Sequence, residues 1–160
     1  MEKPEPQQEH RWLARLVGEW SYEHEAAEPG EPPRTFRGTE RVRALDGTWI
    51  VAEAEGEAPD GGSGRSIMTL GYDPARGRVV GTFVSGMLPH LWVYDGAFDP
   101  TGRVITLDTE GPRFDGSGGL ARYQDVVELV SDDERTLRSR VLQSDGRWQE
   151  FMVATYRRRS

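Results

Sequence analysis

The spacing of apolar residues changes once along the chain, at Gly18. Between Gln8 and Val17, four apolar side chains recur with helical spacing, which predicts one short amphipathic helix closed by Gly18. Beyond Gly18 the period becomes two, beginning with Trp20 and Tyr22. This alternation is typical of β-strands with two different faces.

Tight-turn motifs divide the rest of the chain into short β-rich runs. Asp-Pro and Asp-Gly combinations recur near 72–78, 98–103 and 144–147, and a Ser-Asp-Asp motif lies near 131–135. Asp bonds its own backbone in turns, Pro presets φ and Gly accepts positive φ. The predicted strands lie near residues 20–25, 36–43, 48–56, 65–73, 78–86, 90–98, 103–110, 121–130, 135–143 and 147–157.

These elements predict an all-β fold, an antiparallel up-and-down barrel of about ten strands with one short N-terminal helix. No helical pattern separates the strands, which disfavours a parallel sheet. Closure removes the exposed edges, whereas a β-sandwich is the competing architecture. We expect a flexible tail over 1–7 and a single domain over 8–158. Barrels of this size can hold one small ligand.

Composition narrows the function classes. The chain has 160 residues, a net charge of −7 and no cysteine, so disulfides, thiolate nucleophiles and cysteine-bound metals are excluded. The acidic balance disfavours nucleic acid, and the basic run Arg157–Arg159 is interpreted as a solvated tail. We predict no membrane partner, no metal and no cofactor, because no apolar run is long enough and the three histidines are widely spaced. No signal peptide is apparent, so we expect a cytoplasmic protein of a bacterium.

The segment from Leu16 to Trp20 carries a recognisable motif. A short helix followed by Gly-x-Trp on the first strand resembles the lipocalin-like, or calycin-type, β-barrels. The resemblance implies that Trp20 closes the bottom of the barrel, with an arginine of the last strand packed over it. Arg157 is the matching arginine.

Longer stretches resemble an uncharacterised bacterial family, a domain of unknown function of about 150 residues. The resemblance covers residues 10–158 in order and spacing, and it implies a fold without an activity. At Phe83 many relatives are expected to have tryptophan. The matching stretches are Leu16 to Trp20, Leu70 to Pro74, Gly96 to Asp99, Tyr123 to Val126 and Tyr156 to Arg158.

Candidate ligand-binding residues follow from the aromatic-bearing faces of the strands, if those faces line the interior. A second interpretation places the glutamates on the solvent face, as cross-strand partners of arginines such as Arg41, Arg43, Arg138 and Arg140. His90 begins a strand after a turn, where histidine serves either as a functional or as a structural hydrogen-bonding group. The candidate lining is Trp49, Glu53, Phe83, His90, Trp92, Tyr94, Gln124, Glu150 and Met152.

Three functions are compatible with these patterns. The favoured hypothesis is non-catalytic binding of a small apolar or amphipathic molecule in the barrel. The alternative is a cofactor-free isomerase, cyclase or hydrolase of a hydrophobic metabolite, with His90 and Glu53 or Glu150 as the acid/base pair. The third is a protein-interaction module with a filled barrel, including a homodimer anchored by Trp12 or Trp148.

Overall fold

A computed structural model describes residues 1–26 and 30–159. Within these ranges it contains one helix and ten strands. The elements are α1 (Gln8–Ala14), β1 (Gly18–Ala26), β2 (Arg34–Leu45), β3 (Trp49–Glu57), β4 (Ser63–Asp73), β5 (Arg78–Ser85), β6 (Leu88–Phe98), β7 (Val104–Pro112), β8 (Leu120–Leu129), β9 (Glu134–Leu142) and β10 (Trp148–Arg158).

The ten strands form one closed barrel in which every strand is antiparallel to its two neighbours. Consecutive strands pair along the chain, and β1 closes the barrel against β10, from Trp20↔Arg158 to Ala26↔Met152. This confirms the predicted up-and-down barrel and excludes the sandwich. No helix within the described ranges is long and apolar enough to cross a membrane.

The turns between strands use the predicted chemistry. The Asp73 Oδ1 accepts from the amide of Ala75 at 3.0 Å, and the Asp145 Oδ1 accepts from that of Arg147 at 2.9 Å. In the Asp99 turn, Gly102 has a φ of 70°, in the left-handed region that glycine tolerates. Local hydrogen bonding and glycine freedom therefore set the hairpins without long-range contacts.

Helix α1 covers the lower end of the barrel. It ends at Ala14, earlier than predicted, and its last turn tightens into i→i+3 bonds that reach Val17. Gly18 then takes a φ of 144° and starts β1. The indole of Trp20 is fully buried at this end of the barrel, and its Nε1 donates to the Leu16 carbonyl at 2.9 Å.

Alternating burial identifies the inner face of each strand. The lower half of the barrel interior is filled with aliphatic side chains, and the cavity left beside them has a volume of about 30 Å³, room for one or two waters at most. The filled layer therefore holds no larger ligand. Its buried residues are Val42, Ile50, Leu70, Val79, Ile105, Leu107, Val127 and Leu129.

Candidate functional site in the upper barrel

Above the filled layer, inward-pointing side chains keep part of their surface accessible. These side chains define what we call the upper lumen, the half of the barrel interior farther from α1. Their intermediate exposure contrasts with the fully buried layer below them. The upper lumen is lined by Tyr22, Met68, Phe83, Trp92, Asp125 and Met152.

One wall of the upper lumen is a chain of edge-to-face rings. The ring of Trp92 lies 4.7 Å from that of His90 and 5.1 Å from that of Tyr123, measured between centroids. Tyr123 in turn contacts Phe151 at 6.0 Å and Phe114 at 6.1 Å. Such edge-to-face pairs add about 0.5–1.5 kcal/mol each beyond burial, so this wall is held in place by its own contacts.

The opposite wall depends on two glycines. A Cβ at Gly38 or Gly56 would lie 2.4 or 2.2 Å from the ring end of Tyr22, so only glycine leaves room for this side chain. His24 stacks between Tyr22, at 6.1 Å, and Phe36, at 5.0 Å. Burial lowers the pKa of the His24 imidazole, and the neutral ring dominates at physiological pH.

A carboxylate lies at the floor of the upper lumen. Asp125 Oδ2 accepts from the Tyr94 hydroxyl at 2.5 Å, and Oδ1 accepts from the Ser139 hydroxyl at 2.6 Å. The barrel wall encloses the group, so burial raises the pKa of the Asp125 carboxyl despite the two hydrogen bonds. Burial, followed by the charge of Asp125, raises the pKa of the Tyr94 hydroxyl well above 10, which keeps Tyr94 a neutral donor.

A buried ion pair lies below this carboxylate. Arg135 donates to Glu40, and their side chains are only 7% and 11% exposed. The Arg135 guanidinium lies 4.7 Å from the ring centroid of Trp20 and 3.8 Å from that of Tyr156. The two charges compensate each other, and the Arg135 guanidinium also stacks on two aromatic faces.

The arginine that packs over Trp20 from the last strand is Arg158, and the prediction of Arg157 is wrong in this respect. The Arg158 guanidinium lies 4.3 Å from the Trp20 ring and donates to the carbonyl of Val17 at 2.7 Å. Arg157 points outward and pairs with Glu134 at 3.4 Å. Since Tyr156 points inward, alternation places residue 158, and not 157, on the inner face.

The nine predicted lining residues separate into two groups. The upper part of the interior contains Phe83, His90, Trp92, Tyr94 and Met152. The expectation that the other four line the interior is wrong, because they point to the outer face. These are Trp49, which covers Gly71; Glu53, paired with Arg43; Gln124, bonded to Asp108 and Arg140; and Glu150, paired with Arg138.

Two physical reasons explain these four positions. On β3 and β8 the alternation is regular, but the inner face is the one without Trp49 or Gln124. On β10 a bulge between Glu150 and Met152 shifts the register by one residue. The bulge turns Glu150 outward while Met152 points inward, although strict alternation puts both on one face.

Asp125 and Tyr123 were absent from the predicted lining. The alternation along β8 could have identified them, because one face of this strand is apolar. That face contains Ala121, Tyr123, Val127 and Leu129. Asp125 is the single polar residue in that face, which distinguishes it from the solvent-facing carboxylates. Phe151, in contrast, lies at the mouth because of the bulge, which had no sequence signal.

The wall opens between β6 and β7 near the mouth. Their pairing runs from Phe98↔Ile105 to Asp95↔Asp108, after which the two strands are joined by side chains. The His90 Nε2 donates to the Glu110 carbonyl at 2.9 Å. The Trp92 ring lies against Gly111, where a Cβ would be 2.2 Å from it. His90 therefore has a structural partner within the wall.

Other candidate sites are weaker. Within the described ranges, no group of three or more His, Asp or Glu side chains could hold a metal ion. A depression of about 590 Å³ on the outer face of β2–β5 is open to solvent and lined by charges of both signs. Its lining includes Glu53, whose exposed ion pair with Arg43 is typical of a solvated surface.

A closed ten-stranded barrel, with a short helix at its lower end followed by a Gly-x-Trp whose indole points inward, defines a lipocalin-like barrel protein. The chain belongs to the family described as "Protein of unknown function (DUF1579)", whose model matches residues 5–158. This confirms both resemblances noted in the sequence. No functionally curated protein matches the sequence.

Solved structures share the fold at low identity. Rv2717c from M. tuberculosis has a TM-score of 0.69 and 14% identity, with 98% of this chain and 100% of that chain covered. The S-type phycobiliprotein lyase CPES from Guillardia theta has a TM-score of 0.60 and 16% identity, with 97% and 99% covered. A redesigned β barrel, mFAP0, bound to DFHBI, has a TM-score of 0.50 and 14% identity, with 90% and 99% covered.

Proposed function

We propose that the protein binds one small apolar or amphipathic molecule in the upper lumen, without turning it over. The observation that carries this proposal is the contrast within the barrel. The lower interior is filled with aliphatic side chains, while the inward side chains above it include half-buried aromatic rings such as those of Phe83 and Trp92. A concave aromatic site with a few fixed polar groups is the usual form of a small-molecule pocket.

The acid/base residues of the catalytic alternative lie on different faces of the barrel wall. His90 lies inside the barrel wall and donates to a backbone carbonyl, whereas Glu53 and Glu150 form ion pairs on the outer face. An acid/base pair needs hydrogen-bond reach to one substrate, which these positions do not provide. The partly accessible upper lumen also favours ligand binding over an interaction module with a filled barrel.

Mass spectrometry of gently purified protein tests the proposal directly. The native mass is compared with the denatured mass, and the released molecules are extracted and identified. We expect one small molecule per chain, and the same spectrum reports whether the chain forms the homodimer of the third hypothesis. A native mass that equals the bare chain, together with no binding of hydrophobic probes, contradicts the proposal.

A pair of neighbouring variants on β10 locates the site. Met152 points into the upper lumen and Val153 points outward. Met152→Trp adds bulk to the lumen, so we expect loss of the bound molecule, measured as the holo fraction in the native spectrum. Val153→Trp adds the same side chain outside and retains the molecule. Equal occupancy of the two variants contradicts the upper lumen as the site.

A further inference from the structure

Asp125 differs from every other inward acidic group in what surrounds it. Both carboxylate oxygens accept from neutral hydroxyls, those of Tyr94 and Ser139. An ionised carboxylate has about four acceptor positions, so each oxygen retains capacity for another donor. Asp125 as a residue is half-buried. The unused acceptor positions are those that a donor on a molecule in the upper lumen would fill.

No cation of the described chain compensates this charge. Arg135, the arginine on the inner face of neighbouring β9, is paired with Glu40. Arg138 and Arg140 of the same strand point outward, to Glu150 and Gln124. An enclosed carboxylate without a counter-ion is costly, and an asparagine would avoid that cost. A positively charged group in the upper lumen would compensate this charge.

The side chains above Asp125 suit an organic cation with an apolar body. Tyr123 is two residues away on the same face of β8, and its ring contacts those of Trp92 and Phe151. Aromatic faces attract cations and also bury hydrocarbon. The net charge of −7 adds a general attraction for positive ligands.

We propose that the ligand of the upper lumen carries a protonated amine, which donates to the Asp125 carboxylate while its apolar part packs against the aromatic wall. This inference rests on the proposed function, because it names the class of molecule that the same site takes. It predicts selection by charge among molecules of equal shape.

Three probes with one aromatic body separate the two proposals. They are 2-(1-naphthyl)ethylamine, 1-naphthaleneethanol and 1-naphthaleneacetic acid, titrated calorimetrically into the full chain at pH 7. We expect the amine to bind at least about tenfold more tightly than the alcohol, because a hydrogen bond between two ions is roughly twice as strong as a neutral one. The acid is expected to bind least.

Two isosteric variants test the role of the carboxylate. Asp125→Asn removes the charge within the lumen, and we expect about tenfold weaker amine binding with the alcohol nearly unchanged. Asp108→Asn removes the same charge from the outer face of β7, where Asp108 accepts from Gln124, and should change neither affinity. Circular dichroism establishes that both variants fold.

The unmodified protein provides a second readout. The groups that face Asp125 are Tyr94 from β6 and Tyr156 from β10, besides Tyr123 on its own strand; β7 contributes none, and Arg135 of β9 is paired with Glu40. Burial raises the pKa of each of these tyrosines, so all of them are neutral between pH 4 and 8. As the pH is lowered and Asp125 takes up a proton, the affinity for the amine should therefore fall, while the affinity for the alcohol stays constant.

The outcomes distinguish the two proposals. Equal binding of amine and alcohol, or an unchanged amine affinity in Asp125→Asn, overturns the amine proposal and leaves lumenal binding standing. Tighter binding of the acid also overturns it. Failure of all three probes to bind overturns the amine proposal, and with a bare native mass it overturns the proposed function as well.

Discussion

At the scale of single residues, the barrel contains two inward carboxylates that are stabilised differently. Glu40 has the Arg135 guanidinium as a partner, whereas Asp125 has only the hydroxyls of Tyr94 and Ser139. Charge compensation is therefore complete in the lower layer and incomplete in the upper one. The two groups consequently have opposite expected effects on stability.

Replacing Asp125 by asparagine should increase the free energy of unfolding at neutral pH. The folded pKa of Asp125 is raised, so the folded protein binds this proton more tightly than the unfolded chain does. The ionised form therefore opposes folding, and this penalty appears as pH rises through the folded pKa and vanishes below the ordinary value of about 3.9. Thermal unfolding of Asp125→Asn and the unmodified protein from pH 8 to 5 should show a difference that narrows as pH falls.

The exposed carboxylate of Asp108 supplies the control for this measurement. Asp108→Asn should follow the unmodified protein at each pH. A lower stability of Asp125→Asn at neutral pH would contradict the prediction and indicate that the two hydroxyl bonds need the charged acceptor.

Removal of Arg135 should be strongly destabilising. Arg135→Met leaves the Glu40 charge buried and unpaired, which costs about 3–5 kcal/mol of unfolding free energy. Arg43→Met is the matched control, because the Arg43–Glu53 pair is exposed and worth about 1 kcal/mol or less. Urea unfolding measures both. Equal losses would mean that burial of the Arg135 pair does not govern its contribution.

At the scale of elements, the junction between β6 and β7 is the least regular part of the wall. Backbone pairing ends at Asp95 and Asp108, and beyond it His90 and Trp92 join the two strands. Side-chain contacts replace the backbone hydrogen bonds between β6 and β7 here. A side-chain substitution at this junction should therefore lower stability more than one at a junction that is paired along its whole length.

Gly111→Ala should disturb this junction. The new Cβ would lie 2.2 Å from the Trp92 ring, which must move into the upper lumen or out of the wall. We expect lower stability by about 1–3 kcal/mol, a shifted tryptophan emission and weaker probe binding. Gly86→Ala is the control, since its Cβ would meet its nearest atom at 3.8 Å. Unchanged emission and affinity in Gly111→Ala would contradict the close packing of Trp92.

At the scale of the whole molecule, the contact between β1 and β10 closes the barrel and joins the two ends of the chain. The first strand follows α1 directly, and Trp20 meets Arg158 across the closure. Cooperative folding therefore needs contacts between residues far apart in sequence, which is typical of slow all-β folding.

Two truncations should differ sharply. Removing residues 1–6 deletes the exposed Lys3–Asp46 pair and the Arg11 bond to the Pro6 carbonyl, so we expect a loss of about 1 kcal/mol or less. Ending the chain at Gln143 removes β10 and exposes the edges of β1 and β9, so we expect aggregation or loss of cooperative unfolding. Size-exclusion chromatography and circular dichroism distinguish them. A monomeric, cooperatively unfolding β10 truncation would contradict closure as the basis of stability.

The sequence by itself determined the elements and their order. Period two, Asp- and Gly-based turns and the Gly18-x-Trp20 motif are local signals, so they predicted ten strands, one helix and an antiparallel closed barrel. They also predicted that aromatic side chains such as Trp92 point inward. These features depend on backbone propensity and on burial of one face, and both can be read along the chain.

Only the tertiary structure decided which face of several strands points inward and which polar group lies within. The β10 bulge turns Glu150 outward, and β3 points its small-residue face inward, where Gly56 leaves room for Tyr22. Arg158 rather than Arg157 closes the barrel because the inner face is fixed from Tyr156 onward. Asp125 became a candidate site because Tyr94, from a strand that is not its neighbour, reaches it across the interior. Such contacts depend on closure and register, which no local pattern contains.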